Sequence, residues 1–68
     1  MRLVFKNAWG QEKLVKADVT EDELFKCIKD YVHNLNPNFE IYYMRSWGEN
    51  PVTYDVGSHT EFFLLYND

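Results

Sequence analysis

The stretch from Thr20 to Asn36 limits what this chain can become more than any other. Thr20, followed three positions later by Glu23, forms a capping-box pair. In such a box the threonine side chain accepts from the N3 amide and the glutamate reaches back to the N-cap amide. Val19 before the cap and Leu24 at N4 can close a hydrophobic staple across it. Glu21, Asp22 and Glu23 put negative charge on the first turn, where the helix dipole is positive. Stepping ~100° per residue from Leu24 keeps Cys27, Ile28, Tyr31, Val32 and Leu35 within one apolar stripe, with Phe25 at its margin. Lys26, Lys29, Asp30 and His33 fall opposite, and Asn36-Pro37 stops the helix because the residue before proline avoids the α region. The chain contains one amphipathic helix, and every other segment must be fitted to it.

The remaining segments read as strands. From Arg2 to Lys6 the side chains alternate, with Leu3 and Phe5 opposite Arg2, Val4 and Lys6. Asn7-Ala8-Trp9-Gly10 supplies a turn, and Glu12 to Val19 alternates again, with Val15, Ala17 and Val19 on one face. Two strands joined by a glycine-containing turn predict a β-hairpin leading into the helix. Beyond Pro37-Asn38, Phe39, Ile41, Tyr43 and Arg45 alternate with Glu40, Tyr42, Met44 and Ser46. Trp47 to Pro51 is a turn by composition, Val52 to Val56 a short strand or an extended loop, and Gly57-Ser58-His59 a reversal. Thr60 to Tyr66 closes the chain with apolar residues on both faces, the pattern of a strand interior to its sheet.

The expected architecture is a single α+β domain over residues 1–68, with one helix packed on a mostly antiparallel sheet of four to five strands. Its order is ββαβββ, or ββαββ if Val52–Val56 is only a loop. The expected core is Leu3, Phe5, Val15, Ala17, Ile28, Val32 and one face of the late strands. A 16-residue helix, about 24 Å long, covers only one face of such a sheet. With two Trp, five Tyr and five Phe, the chain has more large apolar groups than that face can take. Tyr42, Met44, Trp47, Phe63 and Leu65 are therefore candidates for an exposed interaction surface, whichever parity meets the helix. Trp9, in the other Trp-Gly turn, is a further candidate anchor. These residues point to a partner protein or a second copy of the chain, and a homodimer is one form this would take.

Charge and cysteine content narrow the field. A net charge of −4 disfavours a general binder of the phosphate backbone, and the seven basic residues are scattered. Base stacking on the sheet aromatics remains the alternative, although ββαβββ is not the βαββαβ order of the common aromatic-sheet RNA module. One cysteine permits neither an intrachain disulfide nor a cysteine-based zinc site. Leu3-Val4-Phe5 is too short for a signal-peptide core, and no apolar run approaches the ~20 residues that span a bilayer. The expected compartment is the cytoplasm.

Chemistry finds little support. Asp55, Ser58 and His59 carry the letters of a triad, but no glycine pattern of a nucleophile elbow surrounds Ser58, and a hydrogen-bonded turn explains the same residues. His33 and His59 lack metal-ligand spacing, Cys27 lies on the apolar stripe, and the three glycines are too far apart for a phosphate loop. The chain is expected to have no catalytic, metal or cofactor site and no small-molecule substrate.

The closing segment Tyr54-Asp55-Val56-Gly57-Ser58-His59-Thr60-Glu61-Phe62-Phe63 is similar to the ends of small proteins encoded by phages and prophages of Gram-positive bacteria. That resemblance covers about ten residues and brings no assigned activity. It implies a setting in which short proteins commonly act by binding a host or phage protein.

Overall fold

A computed structural model describes every residue except Tyr42, His59 and Asp68. Among the described residues it contains β1 (Arg2–Lys6), β2 (Glu12–Lys16), α1 (Glu21–Leu35), β3 (Arg45–Trp47), β4 (Val52–Asp55) and β5 (Phe62–Tyr66). The fold is α+β with element order ββαβββ, and the strands form one sheet in the order β2-β1-β5-β4-β3. Every neighbouring pair is antiparallel. Because β2 and β3 are the two edges, the segment joining them must cross the whole sheet. The helix itself runs along the strands: Leu24, near its start, lines a cleft with Met1, Val52 and Leu65, and Val32, near its end, lines another with Phe5, Val56 and Phe63.

The helix ends where its caps place it. Thr20 is the N-cap and Asn36 the C-cap. Glu23 closes the box from its side, accepting from the Thr20 amide and from the Thr20 hydroxyl, each at 3.0 Å. Lys16 Nζ donates to the other carboxylate oxygen at 2.7 Å. These three donors, the lysine first, hold the Glu23 carboxyl at about 2, below its ordinary 4.5.

The side facing α1 is the core. Leu3, Phe5, Phe63 and Leu65 from the central strands meet Leu24, Ile28 and Val32 of the helix, with Val19 and Val56 at the ends. Phe5, Tyr31 and Phe63 form an aromatic triangle with centroids 5.0 to 5.8 Å apart. The Tyr31–Phe63 pair is edge-on at 88°. Such pairs add about 0.5–1.5 kcal/mol each beyond area burial.

Two expected strands are shorter than the alternation suggested. β2 ends at Lys16, because Val15 is bulged between the pairs Val4↔Leu14 and Leu3↔Lys16. The bulge turns Lys16 toward Glu23, and the chain leaves the ladder. Val19 is then fixed by its amide bond to the Met1 carbonyl at 2.8 Å and is buried, whereas Ala17 is exposed and not part of the core. Of the stretch from Phe39 to Ser46, only the last two residues join β3. β3 can pair only with β4, which is four residues long and ends at Asp55 before Gly57 turns with φ +106°. The described residues ahead of Arg45 therefore lack a ladder, and Phe39, Ile41 and Met44 pack their side chains against the core instead.

Candidate interaction face

The face turned away from α1 is built by ladder register. Leu14 lies opposite Val4, Val4 opposite Leu64, Leu64 opposite Thr53, and Thr53 opposite Trp47. These five residues form one cross-strand row that reaches from one edge of the sheet to the other. Val4 and Leu64, at 3% and 8% exposure, lie outside the helix-side cluster and are buried by side chains of their own face. The row's ends are open: Leu14 is 52% exposed and Trp47 48%.

A second row runs beside it. Glu12 lies opposite Lys6, Lys6 opposite Phe62, and Arg45 opposite Asp55. Phe62 meets Trp47 edge-on, with centroids 5.9 Å apart. On the other flank the Arg2 guanidinium stands 4.3 Å over the ring of Tyr66, whose hydroxyl donates to Glu12 Oε1 at 3.1 Å. The Asp55 carboxylate is fully buried, accepting from Arg45 at 2.7 Å and from the Gly57 amide at 2.9 Å. The Asp55 hydrogen bond raises the Arg45 pKa against the opposing effect of desolvation. Three cations and two carboxylates thus share this face, and the second row carries both signs.

Trp47 lies on this face, at its β3 edge. Phe63 and Leu65 do not: both are buried beneath α1, so the opposite parity of β5 (Phe62, Leu64 and Tyr66) faces outward. Met44 is partly buried against the core, and Tyr42 lies outside the described residues. Trp9 stands apart at the β1–β2 turn, 85% exposed. Its position is fixed by the backbone. Asn7 Oδ1 accepts from the amides of Trp9 and Gln11, and the Asn7 carbonyl accepts from Gly10.

The alternation alone missed Leu14, Phe62, Leu64 and Tyr66. β5 is apolar on both sides and carries no parity of its own, but β4 does. There Thr53 and Asp55 alternate with Val52 and Tyr54, and the ladder transmits that parity to β5.

The letters of the triad have other employment. Ser58 Oγ donates to the Glu61 carbonyl at 2.8 Å and accepts from the Glu61 amide at 3.0 Å, closing the turn. His59 lies outside the described residues. Cys27 packs against the core. Among the described residues no group of three or more His, Cys, Asp or Glu could hold a metal, and no helix is long and apolar enough to cross a membrane. A cleft of about 290 Å³ opens beside the C-terminal end of α1, between Val32, Leu35, Phe39 and Val56.

Comparison with family models, with curated proteins and with solved structures found no match to this chain.

Proposed function

We propose that this chain is a small protein-binding module whose working surface is the helix-free face of its sheet. The observation that carries this reading is the cross-strand row, dry at Val4 and Leu64 and open at Leu14 and Trp47. A tryptophan at the rim of an apolar band is the residue type that most often dominates binding energy. The partner is another protein or a second copy of the chain. The module works without catalysis or cofactor, in the cytoplasm, and the resemblance of its closing segment favours a phage or prophage setting.

The test is a Leu14→Ser/Trp47→Ala double variant, compared with the wild type for proteins retained from a Gram-positive host lysate and for self-association. Loss of both kinds of binding with an unchanged circular dichroism spectrum is expected. A folded variant that keeps every association would sink the reading.

A second reading has one observation behind it. Trp47, Phe62 and Tyr66 share the face with Arg2 and Lys6, the mixture on which single-stranded bases stack. The mixed signs weigh against it, because a polyphosphate backbone needs a groove of one sign. Titration of Trp47 emission with short oligonucleotides at low salt decides it: no quenching removes the nucleic-acid reading.

A further inference from the structure

We infer that the occupant of the helix-free face is a second copy of this chain, docked face to face about a two-fold axis parallel to β5. This rests on the reading of that face as a protein-binding surface and adds the partner and the geometry. A two-fold contact must be self-complementary, each residue i meeting j while j meets i. Both rows meet that condition when reversed about β5, the middle strand of five. In the first row the exposed Leu14 falls opposite the partner's Trp47, while Val4 and Leu64, already buried, lie beneath the contact. In the second row Glu12, Lys6 and Phe62 stand side by side on β2, β1 and β5, and Arg45 of β3 pairs with Asp55 of β4, whose carboxylate is buried and presents no charge outward. Reversal sets Glu12 against the partner's Arg45, whose side chain is more than half exposed beyond its bond to Asp55. Phe62 falls on the axis.

The competing axis fails on charge. A two-fold along the apolar row would lay the flank carrying Lys6 over the flank carrying Arg2, cation against cation. The β5 axis keeps strand directions aligned between the two sheets, the common way in which sheets stack. The face also lacks the single sign that an acidic peptide or a polyphosphate would select. Elsewhere among the described residues, four lysines stand against eight carboxylates, so this face is the least acidic part of the molecule. Two copies therefore meet where their mutual repulsion is smallest. The face measures roughly 19 Å by 16 Å, about 600 Å² counted over both copies, which is below the size of a stable specific interface, so a weak dimer is expected, populated only at the upper end of the micromolar range.

The experiment is cysteine cross-linking on the full chain in a Cys27→Ser background, run alongside light scattering over two decades of concentration, about 5 to 500 µM. Facing sheets stand about 10 Å apart, beyond the reach of a disulfide, so a short bis-maleimide joins the cysteines. Phe62→Cys, on the axis, is expected to form a cross-linked dimer by itself. Leu14→Cys alone and Trp47→Cys alone should not, whereas their mixture should form the mixed dimer. Adding Glu12→Lys should raise the dissociation constant of the untrapped dimer about tenfold, with circular dichroism confirming the fold. A dimer that traps in another pattern, or survives Leu14→Ser/Trp47→Ala, overturns both the axis and the choice of face. A monomer throughout, with Trp47 emission unshifted, overturns self-docking and leaves the face for a different protein, which the lysate comparison then tests separately. Oligonucleotide binding to a monomer overturns both.

Discussion

Val4 and Leu64 face each other across β1 and β5 on the side of the sheet that carries no helix, and both are buried there. The sheet therefore has two apolar sides of unequal finish. One is sealed by α1, and the other is closed only at its centre by its own rim. This inequality separates residues that hold the fold from residues available for contact, and the two sets can be told apart by stability.

Phe63 and Trp47 are the sharpest contrast. Phe63 is buried in the aromatic triangle with Phe5 and Tyr31. Phe63→Ala should cost about 3–5 kcal/mol, against a total stability of about 3–10 kcal/mol for a chain of this length. Trp47→Ala should cost less than about 1 kcal/mol. Urea denaturation of the two variants checks the ordering.

The pH dependence should follow Glu23 and Lys16. The folded carboxyl titrates at about 2, below its ordinary 4.5, so its stabilisation is present above 4.5 and is lost as pH falls toward 2. Lys16 is shifted upward from 10.5, chiefly by its hydrogen bond to Glu23. Its contribution is complete below 10.5 and disappears as pH rises through the folded value. Glu23→Gln keeps an acceptor for the cap and loses the charge. Its urea midpoint should lie below that of the wild type at pH 7 and converge with it near pH 2.

At the β1–β2 turn, backbone and side chain should separate cleanly. Asn7→Ala removes the acceptor of two amides and should destabilise by about 1–2 kcal/mol. Trp9→Ala leaves those bonds intact and should change stability by less than about 0.5 kcal/mol. Thermal melts of the pair measure the difference.

Gly48 and Gly10 share a φ of +83° but not a neighbourhood. A Cβ at Gly48 would stand 2.8 Å from the Pro51 carbonyl oxygen, whereas at Gly10 nothing lies within 4 Å. Gly10→Ala should cost about 1–2 kcal/mol from backbone conformation alone. Gly48→Ala should cost more and move Trp47, which would appear as a shift in emission maximum.

The helix was legible residue by residue because its signals are local: a cap, a staple, a stripe and a proline stop. The first hairpin was legible for the same reason. The segment from Phe39 to Met44 was not, because alternation describes a side-chain pattern while a strand needs a partner with free backbone groups. β4 is too short to supply them. The outward residues of β5 were hidden for a different reason. With Phe62 to Tyr66 apolar on both sides, parity had to come from β4 through pairing, and pairing is a long-range fact.

The middle of this sheet is made from strands at opposite ends of the sequence, with Arg2 paired to Tyr66 and Lys6 to Phe62. Neither the β1–β2 hairpin nor the β3–β4–β5 meander has both its borders covered until they join. That joining closes a loop of roughly sixty residues before β5 can add its share of the core. Folding should therefore be all-or-none, with no stable half. Until β5 is synthesised, β1 presents an open, apolar edge to every other chain in the cell.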